Sequence, residues 1–146
     1  MIEHKYLVDN NALGFIGSKR RVSAFFRNHC RVTEDVAYEA RFTVKSSVLS
    51  GLIEPVTPAI LRQATKIMAT VPVGDIKLIN LYGNKGTADP LLVASALVLN
   101  ERESLSLFGD EWIVVTRDAE ATKKAKEFDV QTAIPQELAA IIDAAN

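Results

Sequence analysis

Four acidic residues stand where short apolar runs meet helical patterns. Asp9 directly follows YLV, and Asp118 follows WIVVT after one residue. Glu39 falls one helical turn beyond CRVT, and Asp89 opens the apolar run PLLVASALVL. No histidine or cysteine accompanies any of them. A carboxylate-only set has few physical uses. Hard oxygen ligands suit Mg2+ or Mn2+. Without a cation, two carboxylates ~5 Å apart at an effective dielectric of ~20 repel by roughly 3 kcal/mol. Such a cluster is therefore metal-filled or partly protonated. A metal held this way lowers the pKa of a bound water and clamps the oxygens of a phosphodiester during in-line attack. Each acid also has a structural use taken alone. Asp9 can be an ordinary strand-end acid, Glu39 a solvated helix residue, and Asp89 and Asp118 helix caps.

Composition narrows the alternatives. The chain has 146 residues, 17 Lys+Arg against 18 Asp+Glu and a net charge of −1, with 48% hydrophobic residues. The length suits one domain over residues 1–146. The apolar content excludes disorder as the main description. The charge balance excludes a generally basic nucleic-acid coat protein, so any such contact comes from a local patch. Cys30 is the one cysteine and His4 and His29 the two histidines, too few for a disulfide or a Cys/His zinc site. Neither histidine has a nucleophile partner for acyl transfer, and no Gly-rich phosphate loop is present. The longest apolar stretch, Pro90 to Leu99, falls short of the ~20 residues that span a membrane. The N-terminal apolar run is too short for a signal-peptide core, so a cytoplasmic, reducing compartment is expected.

The elements that must position these acids alternate strand and helix, the mark of α/β units on a mostly parallel sheet. Strands are expected at Lys5–Val8, Cys30–Thr33, Ile53–Val56, Trp112–Thr116 and Val130–Ala133. Pro55 restricts the third to an edge. A short helical turn at Ala12–Ile16 is broken by Gly17, and Ser18 caps a helix to His29. Val22, Phe25 and Phe26 share one face of that helix. Asp35 caps a helix from Val36 towards Leu49. Thr57-Pro58 starts a helix to about Thr70. A short helix is expected within Gly74–Gly86. Further helices begin at Asp89-Pro90, Asp118 and Pro135. In parallel sheets, sites form outside the carboxyl ends of the strands, which is where the acids fall.

The order and setting of the acids resemble the PIN domain, a family of metal-dependent ribonucleases. YLVDNNAL is similar to its first motif, DVAYEAR to its second, GTADPLLVASALVLNE to its third and WIVVTRDAEA to its fourth. The resemblance implies a three-layer α/β/α fold with a mostly parallel sheet of about five strands and the first strand central. It implies Asp9, Glu39, Asp89 and Asp118 as catalytic metal ligands, with Asn11, Thr116 and Glu120 in support. Asn10 replaces the Ser or Thr often found after the first Asp, and the acid and Phe expected after the fourth motif are met by Glu120 alone. Many members of this size are VapC-like toxins of toxin–antitoxin pairs. The resemblance therefore implies RNA hydrolysis with Mg2+ or Mn2+, a small antitoxin partner, a homodimer and no membrane.

Beside such a site, SKRRVSAFFRNHCR supplies Lys19, Arg20, Arg21, Arg27 and Arg31 without an acid. These cations, Lys19, Arg20, Arg21 and Arg27 above all, are expected to grip RNA phosphates. The same stretch can be a solvated helix face or an antitoxin-binding surface. Two other functions compete with this one. A phosphohydrolase with an Asp nucleophile in D-x-D is disfavoured, because Asp9-Asn10-Asn11 lacks the second Asp. A non-catalytic PIN-like module that binds RNA or protein has no need for a mutually repulsive acid cluster.

Overall fold

The computed structural model describes residues 2–70 and 88–146, with side chains in the second stretch from Pro90 onward. The helix expected within Gly74–Gly86 lies outside the described residues. In chain order the elements are β1 (His4–Val8), α1 (Asn10–Arg21), α2 (Ala24–His29), β2 (Cys30–Thr33), α3 (Glu34–Glu39), α4 (Ser46–Leu49), β3 (Ile53–Glu54), α5 (Pro58–Ala69), α6 (Ala88–Ser104), β4 (Glu111–Val115), α7 (Ala119–Glu127), β5 (Thr132–Ala133) and α8 (Pro135–Ala145).

The five strands form one sheet in the order β3-β2-β1-β4-β5, with every pairing parallel. β1 is central. β3 is two residues long and lies at an edge, where the missing N–H of Pro55 leaves no ladder bond unmade. Strand alternation then builds two cores. Tyr6 and Val8 of β1 and Ile113 and Val115 of β4 face one way, onto a cluster with Leu13, Ile16, Phe26, Val36, Leu49, Leu138 and Ile142. Leu7, Trp112 and Val114 face the other way, onto Ile60, Ile67, Leu92, Val93, Leu99 and Ala125. Helices α1–α4 and α8 thus cover one face and α5–α7 the other. This is the three-layer PIN-like architecture, and burial of the central strands on both faces explains why they read as continuous apolar runs.

Local chemistry sets the helix ends, and in places corrects the sequence expectations. The break at Gly17 is present (φ 83°), yet α1 resumes through Arg21 and the next cap is Ser23, not Ser18. Ser23 Oγ accepts from the Phe26 N–H at 3.2 Å. Restarting the helix there buries Phe26 and leaves Val22 60% exposed, so the expected three-residue apolar face is split. Thr33, not Asp35, caps α3, accepting from the Val36 N–H at 3.2 Å. α3 ends at Glu39, and the chain turns at residues 41–44 before α4, where a single helix to Leu49 was expected. Thr57 with Pro58 starts α5 as expected. Cys30 is fully buried, and burial pushes its thiol up to about 12. Among the described residues, no helix is long and apolar enough to cross a membrane.

Candidate active site

β1 and β4 run in parallel register from His4↔Glu111 to Val8↔Val115, so the residues that follow them emerge side by side. Asp9 is the N-cap of α1, with its N–H donating to the Val115 carbonyl at 3.0 Å. Its side chain is only 6% exposed. Oδ1 accepts from the Asn10 N–H at 2.7 Å, and Oδ2 accepts from the Thr116 hydroxyl at 3.0 Å. The same Thr116 Oγ1 accepts from the Asp118 N–H at 3.1 Å. Asp118 in turn caps α7, its Oδ1 accepting from the Ala121 N–H at 2.9 Å. One buried hydroxyl therefore ties together two acids that are 109 positions apart in the sequence. Carboxylates left in apolar surroundings would be costly, so hydrogen bonds from N–H and O–H donors are the condition for keeping Asp9 here.

β2 contributes to the same edge. Its register with β1 runs Tyr6↔Cys30 and Leu7↔Arg31. Continued by two residues, that register sets Thr33 beside Asp9, a strand spacing of ~4.8 Å away. Thr33 is 1% exposed. Among the described residues the buried polar or charged side chains are Asp9, Thr33, Ser95 and Thr116, and three of these four mark the carboxyl ends of adjacent strands.

Glu39 is the last residue of α3, half-buried, with Oε1 shielded from water. It closes the helix where a mid-helix position was expected. Glu120 is half-buried in the first turn of α7, and Asn11 is exposed in the first turn of α1. Asp89 lies inside the first turn of α6, one residue past its start, and its side chain is outside the described residues. Among the described residues, no group of three or more His, Cys, Asp or Glu side chains is close enough to hold one metal ion. Asp9 and Asp118 are the pair the structure joins. The donors at this edge are hard oxygen groups. His4 starts β1 and His29 ends α2 just before β2, so both histidines belong to the opposite edge of the sheet. That donor chemistry fits Mg2+ or Mn2+ and does not suit a soft metal.

The basic residues are placed differently. Lys19, Arg20 and Arg21 end α1, the helix that begins at Asp9. They follow the break at Gly17, at the end of the helix away from the acid. Arg20 forms a bidentate pair with Asp143 of α8, at 2.8 Å on both oxygens. This pair holds the Asp143 carboxyl below its ordinary range. Arg21 donates to the Leu13 carbonyl at 2.6 Å, and Arg27 to the carbonyls of Val48 and Ser50 at 3.0 and 3.1 Å. Arg31 likewise bonds the carbonyls of Arg27 and Cys30. The guanidiniums of Arg20, Arg27 and Arg31 bridge elements of the fold, and that of Arg21 folds back along its own helix. The cation beside the acids is Arg117, between Thr116 and Asp118. It is exposed, and its guanidinium lies 5.0 Å from the Phe15 ring centre. The signal for it is the T-R-D order at a strand's carboxyl end. A concavity of about 600 Å3 beside β5, lined by Thr122, Lys126, Val130, Thr132, Ile134 and Glu137, contains none of the four acids.

No protein-family model matches the chain, and no curated protein matches it in sequence. Solved structures do match. The crystal structure of FitAcB from Neisseria gonorrhoeae superposes with a TM-score of 0.54 at 15% identity, covering 90% of this chain and 98% of that one. The structure of FitAB bound to an IR36 DNA fragment gives a TM-score of 0.50 at 16% identity, covering 89% and 94%. At such identities the likeness is one of fold. The chain is built as those proteins are over nearly their whole length, and the PIN-like architecture implied by its four motifs is the architecture it has.

Proposed function

We propose that this protein is a divalent-metal-dependent endoribonuclease, acting as the VapC-like toxin of a toxin–antitoxin pair. The observation that carries this is the buried Asp9 carboxylate, hydrogen-bonded to Thr116 at the carboxyl edge of the two central strands and joined through that hydroxyl to Asp118. Asp9 and Asp118, with Glu39 and Asp89, would hold Mg2+ or Mn2+. The bound ion would supply an activated water and offset charge at the scissile phosphate.

The chain's own groups have definite parts in this. Thr116 fixes one oxygen of Asp9 and the Asn10 N–H fixes the other, so the carboxylate cannot turn away. α1 and α7 both begin at this edge, and their positive ends favour negative charge there. Arg117, exposed beside Asp118 with its guanidinium near the Phe15 ring, would meet a backbone phosphate. The RNA substrate, a small antitoxin, a homodimeric state and a cytoplasmic location belong to the same proposal. The FitAB structure named above was solved with DNA, which supports a setting in which such proteins meet nucleic acid.

A non-catalytic RNA- or protein-binding module is the second reading, favoured by the lack of a three-acid group among the described residues. Incubation with single-stranded RNA in Mg2+ or Mn2+, with and without excess chelator, separates the two. The nuclease cleaves only with metal and loses cleavage in Asp9→Asn. Full activity of that variant, or activity in chelator, rejects it. Mn2+ should also raise the Tm of the wild type and not that of Asp9→Asn.

A further inference from the structure

At the end of α3 and in the turn that follows it, two aromatic rings stand out of the fold. Tyr38 is 65% exposed and Phe42 84% exposed. The Arg41 guanidinium lies over both, its Cζ 3.7 Å from the centre of the Tyr38 ring and 4.4 Å from that of Phe42. The turn that carries them is fixed. Arg41 Nη1 donates to the Tyr38 carbonyl at 2.7 Å, and the N–H groups of Thr43 and Val44 donate to the Ala40 carbonyl at 3.0 and 2.9 Å. Ala40 and Val44 are buried and anchor the turn in the core. The rings are thus ordered, with Arg41 against each of them and most of their surface still in solvent. Arg41 forms no ion pair among the described residues. Glu39 lies between Tyr38 and Arg41 in the chain. α3 rises from Thr33 at the acidic edge and is only ~9 Å long.

Resting on the nuclease reading above, we propose that Tyr38, Arg41 and Phe42 form a stacking platform for a base of single-stranded RNA next to the scissile position. The ring surface that Arg41 leaves exposed accepts any nucleobase, because every base has a π face. Arg41, which forms no ion pair among the described residues, binds the phosphate that the same nucleotide carries. A protein surface would need to bring both an apolar cover and an acid. A nucleotide brings both partners in one ligand. The rings would select for unpaired strands, whose bases are free to be splayed onto them.

The test uses the full chain and a fluorescent single-stranded RNA made uncleavable by 2′-O-methylation, with DNA of the same sequence in parallel. Tyr38→Ala and Phe42→Ala alter exposed side chains, so the fold should be kept. Each should weaken anisotropy-measured binding about tenfold. On cleavable RNA each should raise KM and leave kcat nearly unchanged. Arg41→Gln should reduce the salt slope of binding by about one. Removing the base at the stacked position of the oligonucleotide should abolish the difference between wild type and Phe42→Ala. Wild-type affinity in both alanine variants, or no oligonucleotide binding by the wild type, overturns the platform. So does loss of self-association or of a protein partner with RNA binding intact. Platform-dependent binding without cleavage by the wild type would instead reject the nuclease reading and leave the platform standing.

Discussion

The carboxyl edge of β1 and β4 and the basic stretch along α1 and α2 each gather one sign of charge, and the fold treats them in opposite ways. At the sheet edge, Asp9 is nearly buried and Asp118 half-buried, and N–H and O–H donors position their oxygens. Along α1 and α2, Arg20 is paired with Asp143, Arg27 donates to backbone carbonyls of the α4 segment, and Arg21 donates to the Leu13 carbonyl of its own helix. N–H and O–H donors orient a carboxylate without removing its charge. A guanidinium forked onto an acid or onto two carbonyls is committed to holding the chain together. Clustering of charge is thus a poor guide to function until the partners of each group are known.

The contrast can be broken most severely at Asp9. Asp9→Ala should lower RNA cleavage on the order of 100-fold or more, with the far-UV circular dichroism spectrum retained. Wild-type turnover would mean that the edge is structural only. Thr116→Val comes next. It strips a donor from Asp9 and an acceptor from Asp118 inside the fold, and should cost about 1–3 kcal/mol in urea unfolding. The affinity for Mn2+ should also fall roughly tenfold or more. Asp118 separates cap from ligand. Asp118→Ala should lose ~1 kcal/mol of stability. Asp118→Asn should keep most of that stability and still lose cleavage. Equal activity in the asparagine variant would assign Asp118 to capping alone.

The smallest effects are expected among the arginines. Arg20→Ala should leave RNA affinity within about twofold, whereas a phosphate-gripping residue would also reduce the salt slope of binding by about one. Its effect should instead be read in acid. The folded-state pKa of Asp143 is depressed by Arg20, so their contribution is present above the ordinary carboxylate range and is lost as the pH falls through the folded value. Stability curves of wild type and Arg20→Ala should therefore converge below about pH 4. A large loss of RNA binding in Arg20→Ala would restore the basic end of α1 as a substrate surface.

Much of this was legible in the residues. YLV and WIVVT announce strands buried on both faces, and Thr57-Pro58 announces a helix start, because those signals are local and strong. Placement of Asp9 and Asp118 at strand ends was legible for the same reason. The helix boundaries around Ser18 and Asp35 were not. At both places several side chains can cap, and burial of Phe26 and Val36 decided between them. The fate of the arginines was also hidden, since Asp143 lies 123 positions from Arg20.

The chain alone determined the alternation of strand and helix and the acids Asp9 and Asp118 at the strand ends. Those depend on spacing, on caps and on runs of apolar side chains, which act over a few residues. Only the tertiary structure decided that one Thr116 hydroxyl would join Asp9 to Asp118, that the arginines of α1 and α2 would bind the fold itself, and that Tyr38 and Phe42 would stand in solvent on either side of Glu39 in the chain. The physical reason is that hydrogen-bond partners and burial are set by which segments the parallel sheet and its two helical layers bring into contact, and sequence distance carries almost no information about that.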